Sequence, residues 1–152
     1  MLTYASATTE QYDLFLQMMW NDGQDYWENT MRVMQMTWEE YGQIFRTRGD
    51  VQAIYRDTAL AGFYWIEERG DILHLHGIIL KPEFQGQGIG TTVLKMLAER
   101  YTGKKDKIEL GVYQANSGAI RLYEKLGYQI TRNLGDLHFY IMQKPLNQPF
   151  VP

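Results

Sequence analysis

The chain has 152 residues, carries a net charge of -3, contains no cysteine, and is 45% hydrophobic and 22% charged. This length suits one domain with a buried core, so we predict a single domain over residues 1–152. The absence of cysteine excludes disulfides, thiolate metal sites and thiol nucleophiles. The acidic balance argues against a duplex-DNA binder, whose surface is normally basic.

The sequence offers no obvious membrane-spanning segment. Its longest apolar run, Ile72–Leu80, contains two histidines and is far shorter than the roughly 20 residues that a spanning helix needs. The first residues, Met1–Tyr4, include no basic side chain, so we expect no signal peptide. We therefore expect a cytoplasmic protein that binds neither membranes nor nucleic acid. The sequence leaves a homodimer open.

The first third of the chain has the apolar spacing of helices. Residues 10–20 and 26–35 are each predicted to form one helix. Thr37, with Glu40 three residues later, is typical of a capping box and predicts a third helix that ends near Gly49. On this interpretation, everything before the first strand is helical.

Strands follow in close succession. Val51–Tyr55, Ala59–Glu67 and Ile72–Leu80 are joined by short turns, which predicts antiparallel pairing. A glycine-rich segment and a helix come next, so the strand Ile108–Tyr113 is expected to run parallel to Ile72–Leu80.

The last quarter of the chain is predicted to hold one helix and one hairpin. The helix begins at Asn116–Ser117 and ends at Gly127 in a left-handed conformation. Tyr128–Thr131 and Leu137–Gln143 would form the hairpin, and residues 145–152 an extended tail. The sum predicts an α+β fold with a mixed, mostly antiparallel sheet flanked by helices.

The segment Gln85–Gly90 carries the clearest chemical signal. It follows a strand and opens a helix, where backbone N–H groups at the positive end of the helix dipole can bind an anion. Gly88 is followed by Ile89, which excludes a Walker loop. The spacing G-x-G-x-G also differs from the G-x-G-x-x-G of dinucleotide-binding folds.

This segment resembles motif A of the GNAT superfamily of N-acetyltransferases, whose core reads Q/R-x-x-G-x-G/A. A second resemblance covers Leu110, Val112, Asn116, Ala119, Tyr123 and Leu126–Tyr128, which stand in the order and spacing of another segment of that superfamily. Tyr140, Met142 and Lys144 resemble its last strand. Together the resemblance extends over about residues 50–145.

The resemblance implies acetyl-CoA as co-substrate and no metal. It places the pantetheine arm along the strand residues Ile78, Ile79 and Leu80. It places the pyrophosphate on the loop and helix start, formed by Gln85, Gly86, Gln87, Gly88, Ile89 and Gly90, with Thr91 next. The side chain of Asn116 would bond the pantetheine, although it is also a good helix N-cap.

The resemblance gives the acid–base roles to aromatic and imidazole side chains. Tyr123 matches the tyrosine that protonates the departing thiolate, with a core aromatic residue as the alternative. One branch of the superfamily places a glutamate base where this chain has Gly111. Another branch relays protons through a paired His-x-His, as in His74 and His76, which we expect on one face of their strand.

Three alternatives stay open at this stage. The histidines could be ordinary half-buried strand residues. Glu67 and Glu68 are reserve candidates for the base, or simply a solvated turn. The N-terminal helices supply aromatic and methionine side chains beside carboxylates, which suit either a cationic acceptor or a core with a solvated face: Trp20, Tyr26, Trp27, Met31, Met34, Met36, Trp38 and Tyr41, with Asp22, Asp25, Glu28, Glu39 and Glu40.

The resemblance therefore implies an acetyl-CoA-dependent N-acetyltransferase that acts on a primary amine of a small molecule or peptide. Because the chain has no cysteine, an acetyl-cysteine intermediate is impossible and transfer would be direct. The alternative is a catalytically silent acyl-CoA-binding module of the same fold, which the glycine at position 111 favours.

Overall fold

Seven β-strands and five α-helices are arranged along residues 1–146, the part of the chain that this computed structural model describes. The strands are β1 (Leu2–Ser6), β2 (Asp50–Arg56), β3 (Ala59–Arg69), β4 (Ile72–Leu80), β5 (Lys107–Tyr113), β6 (Gln129–Leu134) and β7 (Phe139–Pro145). The helices are α1 (Thr9–Asp22), α2 (Gln24–Met34), α3 (Trp38–Thr47), α4 (Ile89–Tyr101) and α5 (Ser117–Lys125).

The strands form a sheet in the order β1-β2-β3-β4-β5-β7-β6. Strand β4 pairs with β5 in parallel, whereas β1 with β2, β2 with β3, β5 with β7 and β6 with β7 are antiparallel. The predicted α+β fold with a mixed, mostly antiparallel sheet flanked by helices is therefore confirmed. The predicted parallel pairing is confirmed as well.

The N-terminal strand β1 corrects the expectation that everything before the first predicted strand is helical. Residues Leu2–Ser6 pair with Gln52–Arg56, and the ring of Tyr4 packs edge-on against Tyr64 at 5.7 Å between centroids. A strand of five residues is too short for its alternation to stand out in a sequence. Its position is fixed by partners that lie far along the chain.

The third helix begins as predicted. The Thr37 hydroxyl accepts a hydrogen bond from the Glu40 backbone N–H at 3.1 Å, and the Glu40 carboxylate accepts one from the Thr37 N–H at 3.1 Å. This reciprocal box satisfies two backbone donors that the first turn of a helix leaves unpaired. Thr8 and Gln11 form a second box at the start of α1.

The chain divides into two compact units. One comprises Met1–Ile66 with Gly77–Gln87, and the other comprises Glu67–His76 with the residues from Gly88 onward. The core of the first unit is formed by Phe15, Met19, Phe45, Val51, Ala53, Phe63, Trp65 and Ile79. Buried residues of the second unit include Leu73, Leu75, Ile89, Val93, Leu97, Ile108, Leu110, Tyr128 and Met142. A single domain over residues 1–152 stays a prediction.

The described chain ends just after β7. Pro145 is the last residue of that strand, and Leu146 is buried, with its N–H bonded to the Asp106 carbonyl at 2.8 Å. Of the predicted tail, residues 147–152 lie outside the described residues. Over residues 1–146, none of the helices is both long and apolar enough to cross a membrane.

Candidate active site

The loop after β4 is held in shape by its own glutamine side chains. The Gln85 amide donates to the Leu80 carbonyl at 3.1 Å, and the Gln87 amide donates to the Glu83 carbonyl at 3.0 Å. The Arg56 guanidinium donates to the amide oxygen of Gln87. The Gln85 backbone N–H bonds the Pro82 carbonyl at 3.2 Å. The loop conformation is thus fixed by hydrogen bonds to backbone carbonyls and by the contact between Arg56 and Gln87.

The glycines of this loop are required by the backbone and not by crowding. Gly86 and Gly88 have φ angles of 74° and 78°, in the left-handed region that favours glycine. A Cβ atom at Gly86, Gly88 or Gly90 would meet no atom of the described chain within 4 Å. Helix α4 starts at Ile89 without a side-chain cap, so no capping side chain occupies the N–H groups of its first turn, which face the loop.

The strand before the loop depends on a glycine in its neighbour. A Cβ atom at Gly62 on β3 would lie 2.1 Å from the carbonyl oxygen of Ile79, so only glycine fits there. The Lys81 N–H bonds the Ala61 carbonyl at 2.8 Å. Strand β4 continues to Leu80, beyond the last residue that pairs with β5, Leu75.

Asn116 caps the helix that follows β5. Its side-chain oxygen accepts a hydrogen bond from the Ala119 N–H at 3.1 Å, so the N-cap interpretation is confirmed. The cap uses the oxygen and leaves the amide NH2 group as a donor. Gly127, just past the other end, has a φ of 98° and is the predicted left-handed terminator.

Tyr123 lies on α5 and is half-buried. Its ring centroid is 5.9 Å from that of Tyr128, which is buried. Burial raises the pKa of Tyr123 above its usual value near 10. The phenol therefore stays protonated at neutral pH, and its hydroxyl can donate a proton but does not act as a base.

The two histidines of β4 lie on one face, as predicted, with ring centroids 4.5 Å apart. Each contacts a carboxylate from a different strand. His76 Nε2 lies 2.8 Å from a Glu67 oxygen on β3, and His74 Nδ1 lies 2.7 Å from a Glu109 oxygen on β5. All four side chains are only 12–16% exposed.

Further hydrogen bonds extend this arrangement at both ends. The Gln143 amide on β7 donates to the second oxygen of Glu109 at 3.0 Å. The Arg69 guanidinium donates to Glu67 at 2.9 Å. We call this set the polar row; its members are Glu67, Arg69, His74, His76, Glu109 and Gln143.

Glu109 was not predicted from the sequence. The available signal was a carboxylate between Ile108 and Leu110, both of which are buried. The contact between Glu109 and His74 could not be predicted from the sequence, because the two residues stand opposite each other only through the register in which β4 pairs with β5.

The polar row keeps its imidazoles neutral. Burial lowers the pKa of His76 to about 4, although its hydrogen bond to Glu67 opposes the shift. Burial likewise lowers the pKa of His74 against the opposing effect of Glu109. For Glu109 itself, burial would raise the pKa, but the hydrogen bonds to Gln143 and His74 outweigh it and lower the pKa.

The position where a branch of the superfamily carries a glutamate is closed by packing. A Cβ atom at Gly111 would lie 2.7 Å from the ring of Phe139, a β7 residue that pairs with Tyr113. Of the reserve candidates, Glu67 belongs to the polar row. Glu68 is 62% exposed and pairs with Lys105 at 3.1 Å.

The aromatic side chains of α1–α3 pack on one another. Trp38 lies 5.0 Å from Trp20, 5.2 Å from Trp27 and 5.2 Å from Tyr41 between ring centroids. Trp27, Trp38 and Tyr41 also pack against the core of the first unit. The nearby carboxylates are exposed. This arrangement favours the interpretation of these aromatic residues as core.

The sequence matches a known family of proteins. The model of the Acetyltransferase (GNAT) family matches residues 13–128. Thialysine N-epsilon-acetyltransferase of Bos taurus is 39% identical over 62 residues, 40% of this chain and 36% of that protein. Mycothiol acetyltransferase of Mycolicibacterium smegmatis is 33% identical over 92 residues, 57% of this chain and 31% of that protein. The chain thus spans about a third of the length of these relatives.

Solved structures share the fold at low sequence identity. The ribosomal-protein-S18-alanine N-acetyltransferase of Escherichia coli superposes with a TM-score of 0.68 at 19% identity, covering 99% of this chain and 97% of that one. The PaiA N-acetyltransferase of Thermoplasma acidophilum, solved in complex with coenzyme A, gives 0.69 at 17% identity, covering 95% and 99%.

Proposed function

Because the chain belongs to the GNAT family of acetyltransferases, we propose that it transfers the acetyl group of acetyl-CoA to a primary amine. The observation that carries the proposal is the loop Gln85–Gly90, which opens α4 with two glycines at positive φ and no side-chain cap. Such a helix start binds phosphate groups through its N–H groups and dipole. The related thialysine enzyme is named for acetylation at an amine nitrogen, which is consistent with the proposed acceptor.

In this proposal the pyrophosphate of acetyl-CoA binds at Gln85–Gly90 and Thr91. The pantetheine lies along Ile78–Leu80, and the side-chain amide of Asn116 is proposed to donate a hydrogen bond to it. The phenol of Tyr123, which is protonated at neutral pH, protonates the departing thiolate. His76 and His74 take up the proton that the amine loses.

Transfer would be direct, since the chain contains no cysteine to hold an acetyl group. The amine nitrogen bonds to the thioester carbon and the carbon–sulfur bond breaks. The acceptor remains defined only by class, as an amine of a small molecule or peptide. A cytoplasmic location and a homodimer also stay predictions.

A thiol-release assay with acetyl-CoA tests the proposal on amines, polyamines, aminoglycosides and N-terminal peptides. We expect at least one acceptor to release coenzyme A. Tyr123→Phe should then lower kcat by roughly 100- to 10,000-fold while acetyl-CoA still binds.

The matched control is Tyr128→Phe, because the Tyr128 hydroxyl is buried without a hydrogen-bond partner in the described chain. This control should keep its activity. Acetyl-CoA binding without thiol release for any amine would contradict catalysis and leave the silent binding module.

A further inference from the structure

The contacts between the histidines and the two carboxylates decide where each imidazole carries its lone pair. A carboxylate only accepts hydrogen bonds, so the ring nitrogen that faces it must carry the proton. Glu67 faces Nε2 of His76, and Glu109 faces Nδ1 of His74. The two rings are therefore held in opposite tautomers, with the lone pair on Nδ1 of His76 and on Nε2 of His74.

We propose that Glu67 and Glu109 are positioning residues that fix these tautomers, so that Nδ1 of His76 and Nε2 of His74 accept the proton from the acceptor amine. This inference rests on the proposed function and deepens it. It adds two residues and two specific atoms to the chemistry. Neither carboxylate needs to touch the substrate.

The geometry that supports the proposal is built into three strands. Glu109 stands directly opposite His74 in the parallel pair of β4 and β5, and directly opposite Gln143 in the pair of β5 and β7. One carboxylate oxygen of Glu109 contacts His74 and the other accepts from Gln143, so the carboxylate cannot rotate without losing a bond. Glu67 differs, because a single oxygen, Oε1, contacts His76 Nε2 at 2.8 Å and accepts from Arg69 at 2.9 Å.

The charge of the carboxylates completes the argument. When an imidazole accepts a proton it becomes a cation inside a largely buried site, which is unfavourable without a nearby anion. The charged and titratable groups that face the two rings include Glu67, Glu109, Arg69 and the other ring of the pair. The two carboxylates stabilise the protonated ring, whereas Arg69 opposes it.

The proton transfer balances within the proposed reaction. The amine nitrogen forms the bond to the acetyl carbon and becomes more acidic as it does so. Its proton moves to the lone pair of His76 or His74, directly or through water, and leaves an amide. The sulfur takes the bonding electrons of the carbon–sulfur bond and receives its proton from Tyr123. No metal or redox partner enters the step.

The packing around Gly111 explains why the carboxylate acts through a histidine in this chain. Phe139 fills the space that a side chain at position 111 would need. Glu109 precedes Gly111 by two residues and so lies on the same face of β5. The Glu109 carboxylate contacts His74, and the ring of His74 in turn lies 4.5 Å from the ring of His76 between centroids.

The first test measures the tautomers in the unmodified protein. Long-range proton–nitrogen NMR at neutral pH distinguishes the protonated from the unprotonated ring nitrogen, and the exposed His138 supplies an internal reference. We expect protonated Nε2 in His76 and protonated Nδ1 in His74. The opposite tautomer in either ring would overturn the proposal.

The second test measures the pH dependence of turnover in Glu109→Gln and Glu67→Gln. Each variant keeps the shape of the side chain and removes the charge that favours the protonated ring. We expect kcat to fall by about tenfold or more, the acidic limb of the pH profile to move to lower pH, and KM for acetyl-CoA to stay unchanged. Glu99→Gln, an exposed change on α4, is the matched control.

The two tests separate the possible failures. If no amine accepts an acetyl group, the proposed function fails, and the NMR measurement still decides the tautomers. If turnover is present but both glutamine variants keep the wild-type pH profile, the carboxylates do not position the base and this inference alone is wrong. A variant that does not fold leaves the decision to the wild-type tautomers.

Discussion

The loop Gln85–Gly90 and the polar row are built from different kinds of groups and from different parts of the chain. The loop Gln85–Gly90 presents backbone N–H groups, and its shape comes from glycine conformation, from hydrogen bonds to carbonyls at most five residues away in sequence, and from one contact between Gln87 and Arg56. The polar row presents side chains from β3, β4, β5 and β7, and its members meet only because the strands pair in one register.

This difference determines what a single sequence reveals. A site built from consecutive backbone groups leaves a motif, because the spacing of glycines is itself the geometry. A site built across strands leaves only isolated polar residues in apolar surroundings. His74 and His76 can be recognised as candidate site residues from the sequence alone, whereas Glu109 can be recognised only once its pairing with the neighbouring strand is known.

The largest expected effect tests the loop. In Gly88→Glu, a side chain at a φ of 78° adds backbone strain, and its carboxylate would face the pyrophosphate, where two unit charges 4 Å apart repel by about 4 kcal/mol. We expect the Kd for acetyl-CoA, measured by calorimetry, to rise by about 1,000-fold or more.

The control for this change is Gly103→Glu. Gly103 also has a positive φ, 83°, and a Cβ there would meet no atom of the described chain within 4 Å. Gly103 follows the C-terminal end of α4. Gly103→Glu therefore adds the same backbone strain and the same charge as Gly88→Glu, but away from the proposed phosphate site. Undiminished acetyl-CoA affinity in Gly88→Glu, or an equal loss in Gly103→Glu, would remove the loop from cofactor binding.

Much of the fold can be predicted from the sequence because, as in the loop, the residues that determine it are close together in the chain. The capping box of α3, the N-cap at Asn116 and the terminator Gly127 are local, and each forms as predicted. Strand β1 and the partner of His74 depend on residues about 50 and 35 positions away, and no local pattern encodes them.

The next effect tests the polar row through its pH dependence. The pKa of His76 lies near 4 because of burial, below the usual 6.5. If His76 takes the proton, the rate at low amine concentration should fall in acid with a midpoint near 4, and His76→Gln should lose that limb. A midpoint that stays near 6.5, or a limb that survives in His76→Gln and in the double variant with His74→Gln, would place the base elsewhere.

The same shift makes a prediction for stability. His76 is neutral in the folded protein down to a pKa of about 4, whereas the unfolded chain takes up the proton near 6.5. The contribution of the neutral His76 to the free energy of unfolding is therefore complete above pH 6.5. It is lost as the pH falls toward 4, by up to about 3 kcal/mol. Unfolding with denaturant across this range should show the loss in the wild type, and a smaller slope in His76→Gln.

The smallest effect tests whether the superfamily's other base position is closed in this chain. In Gly111→Ala the new methyl group would lie 2.7 Å from the Phe139 ring, so the ring must move. Overpacking of this kind costs about 1–3 kcal/mol, which denaturant unfolding resolves.

The control is Gly118→Ala, at an exposed helix position where an added Cβ atom would meet no atom of the described chain within 4 Å; it should stabilise the protein by about 0.5–1 kcal/mol. The substitution Phe139→Leu in the Gly111→Ala background should recover part of the loss, because a smaller side chain vacates the contested space. If Gly111→Ala is as stable as the wild type without that second change, the position is open to a side chain, and the absence of a glutamate there has a cause other than packing.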